Sequence, residues 1–140
     1  MGHSRQKSRG VHGAGNSLLL VGADTPRLET RIARFEEAEW PSCDLVNASF
    51  SLPLCTPAAF PALWARIVRS LRTGGRFCGQ FYGVRDEWAS GGLVTLTRTE
   101  VDRLLAPFEV ELLEEWEDDG TTALGSPKHW HLFHVVARKR

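Results

Sequence analysis

Between residues 43 and 83 the chain reads as an apolar run, a helical stripe and a second apolar run, and this succession constrains the fold most. The stretch CDLVNASFSLPL (43–54) begins like a buried strand and then turns small and polar at Asn47, Ala48 and Ser49. Phe50 follows, and Pro53 forbids regular continuation. A helix is expected from Thr56-Pro57 or from Pro61, because proline suits a first turn and deep in a helix costs about 3 kcal/mol. Phe60, Leu63, Trp64, Ile67, Val68 and Leu71 recur at helical spacing and make one broad apolar face, with Arg66, Arg69 and Arg72 off it towards water. Gly74-Gly75 is expected to end the helix, since glycine takes the left-handed cap conformation without strain. RFCGQFYG (76–83) then forms a buried strand ending on Tyr82-Gly83. Two strands joined through a helix by short links run parallel.

The remaining pattern extends this α/β sheet. LLLVGAD (18–24) and RLETRIARF (27–35) read as two earlier strands. Thr97 and Glu100 form a capping box, Leu96 and Val101 a hydrophobic staple, and Pro107 closes this second helix. FEVEL (108–112) and HWHLFHVVARK (129–139) are strands with no helical pattern between them, so they pair as an antiparallel hairpin. The seven acids and no base between Glu109 and Asp119 suit a solvated outer strand and turn. Residues 1–17, rich in Gly, Ser, His and Arg, read as a flexible tail, and 18–140 as one domain. Such a sheet binds ligands at the carboxyl ends of its strands. That rule sets Asn47, Ala48 and Ser49 beside Gly79–Gly83, with Trp88 in the following loop as a lid.

Several functions lose support. With 17 basic and 17 acidic residues the net charge is zero, which removes the bulk electrostatic case for nucleic acid. No apolar run approaches the ~20 residues of a membrane span, and the first residues lack a secretory apolar core. Cys43, Cys55 and Cys78 are odd in number and far apart, which suits a reducing cytoplasm. On one strand His129 and His131 share a face and His134 does not, so the three do not form a metal site. Ser49 has no nucleophile elbow around it.

The strand CDLV with small polar residues after it, the helix FPALWARIVRSL, TGGRF, the strand into GQFYG and the closing strand pair together resemble class I S-adenosylmethionine-dependent methyltransferases. RFEEAEWPSCDLVNASFSLPL and ALGSPKHWHLFHVVARK are most similar to small bacterial members of the tellurite-resistance type. The resemblance covers about residues 27–140. It implies a Rossmann-like sheet with a C-terminal antiparallel strand pair, S-adenosylmethionine as cofactor and a small-molecule acceptor. It places Glu36 near the adenine amino group, Phe35 beside that ring, and Asn47, Ala48 and Ser49 at the methionine portion and sulfonium. Phe50 walls the methyl-transfer pocket, with Tyr82, Trp88, Trp130 and His131 around the acceptor, and Asp24 ends a strand as a ribose ligand would. It names no catalytic residue.

The family's glycine loop is represented only by Gly13 and Gly15. About 20 residues cannot hold the missing elements, since one crossover unit needs roughly 30. The resemblance thus implies methyl transfer to a small acceptor as the family activity, on a sheet incomplete at its N-terminal side; loss of that loop leaves open whether the chain itself is active or inactive, and weak donor binding and self-association through the edge of strand 43–48 are expected. The rivals are a non-catalytic remnant acting as an interaction protein, and a nucleotide-binding oxidoreductase, which lacks a G-x-G-x-x-G run here.

Overall fold

The computed structural model describes residues 28–140. In chain order the elements are β1 (Cys43–Ala48), α1 (Phe60–Ser70), β2 (Leu71–Gly83), β3 (Thr95–Leu96), α2 (Arg98–Leu104), β4 (Phe108–Thr121) and β5 (Pro127–Lys139). Short 3-10 turns at Leu52–Leu54 and Glu87–Gly91 follow β1 and β2. The strands make one sheet in the order β1-β2-β5-β4, with β3 pairing the end of β2. β1 and β2 are parallel, as a helical crossover requires, while β5 is antiparallel to both neighbours.

Cross-strand partners share a face. Phe77 opposite Ala137, Gly79 opposite Val135 and Phe81 opposite Phe133 face α1 and α2. Trp64 of α1 centres this core, with ring centroids 5.0 Å from Phe77, 5.5 Å from Phe81 and 6.0 Å from Phe108. Its indole N–H donates to the Leu104 carbonyl at 3.2 Å, tying the two helices together. The opposite face bears Cys78, Gln80, Trp130, His134 and Val136, all half-buried, and carries no helix among the described residues.

Three expectations are corrected. Residues 28–34 are not a strand: they have no regular structure, lead into a turn at 35–37, and leave Ile32 86% exposed. An alternating pattern becomes a strand only where a neighbour takes its hydrogen bonds. Of the two expected helix starts the later one holds: α1 begins at Phe60, after a turn at 57–59, with Pro61 in its first turn. It stops at Ser70, well before Gly74. Leu71 is already extended, and Lys139 Nζ donates to the Val68 and Leu71 carbonyls at 2.7 Å each, satisfying the end of α1. Gly74 does take a left-handed φ of 84°, but inside β2, where residues 72–75 are looped out between the Cys43–Leu71 and Leu45–Arg76 pairs. Finally, the hairpin strands are longer than expected, so the acidic run lies on β4 itself rather than in a turn. Arg66 also departs from its expected place. It donates to the carbonyls of Ala38 at 2.6 Å and Phe35 at 3.2 Å, and so holds segment 35–38 on α1.

The capping box at Thr97 and the antiparallel β4–β5 pair are as expected. The strand expected at 18–24, the tail 1–17 and Asp24 lie outside the described residues. No helix among the described residues is long and apolar enough to cross a membrane.

Candidate functional site

The parallel register puts Asn47 opposite Cys78 and Ala48 opposite Gly79, so β1 ends alongside the last turns of β2. Gly79 allows this closeness: a β-carbon there would sit 2.8 Å from the Ala48 carbonyl oxygen. Phe50 follows in a left-handed conformation, φ 48°, the only described non-glycine residue so placed. A bulky side chain pays of order 1–3 kcal/mol for such backbone. It is held there by the Gln80 side-chain oxygen, which accepts from the Phe50 N–H at 2.9 Å.

Two hollows flank this strand end. One, about 470 Å³, opens beside β1 and is lined by Phe35, Trp40, Val46, Asn47, Ala48 and Ile67, among others. Glu36 sits next to it, accepting from the Thr56 hydroxyl at 3.2 Å. On the helix-free face a hollow of about 360 Å³ runs from Asn47 past Cys78 and Gln80 to Glu114 and His134. The last two also line a third hollow, about 500 Å³, with Phe50, Trp116, Trp130 and Leu132. Asn47 therefore borders both sides of the strand end.

Beyond Phe50 stands an aromatic cluster. Phe50 meets Trp130 edge-on at 6.3 Å, and Trp130 lies 6.2 Å from Tyr82 and 5.7 Å from Trp88. The Lys128 ammonium sits over all three of the latter rings, 3.7 Å from the Trp130 centroid, 4.5 Å from Trp88 and 5.2 Å from Tyr82. Asp86 pairs with it through both oxygens, at 2.6 and 2.7 Å, and both side chains are fully buried. Asp86 also accepts from the backbone N–H of Trp88 at 3.0 Å and of His131 at 3.1 Å. This one carboxylate thus fastens the 84–92 loop to β5. Burial and the nearby Asp86 charge push the Tyr82 phenol up to about 12, so it is no base at neutral pH.

Phe35, Asn47 and Ala48 come together at the first hollow, and Phe50 with Trp130 at the third. Tyr82 is buried beneath the cluster, while Trp88 remains 38% exposed at its rim. Ser49 sits in the turn between Ala48 and Phe50. His131 is not with them. It points to the opposite face, buried to 1% exposure, with Nδ1 accepting from the Arg85 N–H at 3.1 Å and Nε2 2.9 Å from Glu115. Gly83 makes room for it, since a β-carbon there would lie 2.0 Å from Nδ1. Sequence reasoning missed Asp86 and Lys128. The available signal was Lys128 itself, one of three lysines and the only one within an aromatic run, SPKHWH. Among the described residues no three His, Cys, Asp or Glu side chains are grouped to hold a metal.

No protein-family model and no curated protein matches the chain. Solved structures do. TehB from Haemophilus influenzae superposes with a TM-score of 0.68 at 13% identity over 79% of this chain and 41% of its own. A SAM-dependent methyltransferase from Methanosarcina mazei superposes with a TM-score of 0.54 at 15% identity, over 78% of this chain and 66% of its own. The chain thus spans less than half the length of the first and about two thirds of the second. Both likenesses agree with the parallel β1–α1–β2 unit and the closing antiparallel pair, and the chain has the fold of the class I S-adenosylmethionine-dependent methyltransferases.

Proposed function

We propose that this chain carries the methyl-transfer side of an S-adenosylmethionine site and presents the donor to a small acceptor. The observation that carries this reading is Asn47. It borders the hollow beside β1 and, across the strand, the one that leads to Phe50 and Trp130. A donor and an acceptor placed on the two sides would meet at the end of β1.

The residues present suit one wall of such a donor. Asn47 and Ala48 are small enough for close approach, the Phe35 ring offers an apolar face, and the Glu36 carboxylate accepts hydrogen bonds. Bound S-adenosylmethionine supplies a methyl group on a cationic sulfur that an aligned nucleophile displaces. The chain's own contribution is alignment and exclusion of water, which this chemistry needs more than an acid–base pair. Phe50, held in strained backbone, and Trp130 serve that purpose.

Amide chemical shifts followed during titration with S-adenosylmethionine and with S-adenosylhomocysteine test the reading. Saturable shifts at Glu36, Asn47 and Ala48, abolished in Asn47→Leu, are expected. No saturable change at those amides up to about 10 mM ligand would refute it. The edge of β1, which has no second strand beside it among the described residues, favours a second reading, an interaction protein that uses the fold without turnover.

A further inference from the structure

The hollow on the helix-free face has a chemical character of its own. Three aromatic rings, Phe50, Trp116 and Trp130, stand around about 500 Å³, with Leu132 beneath. Among its polar lining residues Asp119 is taken up by His129 at 2.7 Å. Glu114 has no hydrogen-bonding or ionic partner among the described residues. It faces His134 directly across the β4–β5 ladder and borders both hollows on this side. No lysine or arginine lines either hollow. Of the cations on this face, Lys128 sits over Trp130 and is paired with Asp86, and Arg76 and Arg138, further along the sheet, are paired with Glu111 and Glu109. An oxyanion or a carboxylate entering here would meet aromatic faces and Glu114 with no positive group to receive it. A cation would meet the opposite: π faces on its flanks and an unspent carboxylate.

We propose that this groove binds a flat apolar molecule carrying a protonated amine, with Glu114 as the counter-charge and Phe50, Trp116 and Trp130 as walls. This rests on the methyl-transfer reading and names the acceptor class for it. Trp130 acts as an apolar wall, because Lys128 already occupies one of its faces. Trp116, 37% exposed, is the ring left free for a cation. If methyl transfer follows, the amine must first give up its proton to Glu114 or to water. Its lone pair then forms the N–C bond as the C–S bond breaks, leaving a neutral thioether and a methylated ammonium.

Titration of the full chain with phenethylamine and with phenylacetate, read by tryptophan fluorescence, separates the two charge classes on one ring. The amine is expected to bind about tenfold more tightly than the acid, with that preference shrinking in high salt. Glu114→Gln should lose about three- to fivefold of amine affinity and leave the acid unchanged or improved. Phe50→Gly, which relieves the backbone, should weaken amine binding without lowering the melting temperature. Equal or tighter binding of phenylacetate, absence of amine binding, or indifference to Glu114→Gln would overturn the proposal. A parallel titration with S-adenosylhomocysteine keeps the two readings apart. Donor binding without amine preference sinks only the acceptor class, and amine preference without donor binding sinks methyl transfer while the groove stands.

Discussion

Asp86 carries more of this structure than its surroundings in sequence suggest. It accepts from the Lys128 ammonium and from two backbone N–H groups, in full burial. Removing one partner of a buried pair leaves an uncompensated charge, typically at a cost of 3–5 kcal/mol. The two partners are not equivalent. Asp86→Ala strands an ammonium and two amide hydrogens, whereas Lys128→Met leaves the carboxylate with its two amide donors and the aromatic rings with an apolar chain. Urea denaturation should therefore show Asp86→Ala about 3–5 kcal/mol less stable than the parent, and Lys128→Met less affected. Equal losses would contradict this account. On the other face of the hairpin, His129 bridges Asp119 and Glu117, and those bonds raise its pKa above the ordinary 6.5. Arg85 and then His129 draw Glu117 down to about 2. The raised histidine stabilises fully below 6.5 and loses its contribution as pH climbs through its folded value. The lowered carboxylate stabilises fully above 4.5 and loses its contribution as pH falls towards 2. Both act together between 4.5 and 6.5, where the melting temperature should be highest. His129→Asn should flatten the decline on the alkaline side, and an unchanged alkaline limb would rule the bridge out as its cause.

At the scale of elements, α2 has only seven residues and depends on its first turn. Thr97 Oγ1 accepts from the Glu100 N–H at 3.3 Å, and the Glu100 carboxylate returns to the Thr97 N–H at 2.7 Å. Thr97→Ala should cost about 1 kcal/mol by chemical denaturation, and a neutral substitution would show that packing of Val101 alone holds the helix. This box was legible because its bonds are three residues apart. The end of α1 was not. The glycine signal at 74–75 was right about local conformation and wrong about the element, because pairing with β1 and the reach of Lys139 decide where the helix stops. The alternation of 28–34 likewise promised a strand that depends on a neighbour no local pattern can supply. The carboxyl ends of β1 and β2 could be placed from topology alone. Asp86 and Lys128, 42 residues apart, could not, and His131 was assigned to the pocket because its face was not fixed relative to Trp130.

For the whole molecule the outer side of β1 matters most. Among the described residues it pairs only with β2, and Leu45 on it is 58% exposed. An unpaired apolar edge recruits other chains. Sedimentation velocity should show concentration-dependent self-association, reduced in Leu45→Lys. A monomer across the concentration range would show the edge to be covered. For the proposed donor site the described residues supply one wall, and a donor held by that wall alone forgoes on the order of 1 kcal/mol for each further hydrogen bond, so affinity nearer millimolar than micromolar is expected from calorimetry.

The strand order also governs how the chain must be made. β5 is the last element in sequence, yet it lies between β2 and β4 and joins them. Until residues 127–139 have left the ribosome, β2 and β4 have no common partner, and Phe77, Phe81 and Phe108 have only part of their eventual surroundings. At about 5–20 residues per second, that interval lasts several seconds. The β1–α1–β2 unit waits through it with its apolar face only partly covered by α1, a state that exposes the nascent chain to aggregation during the delay.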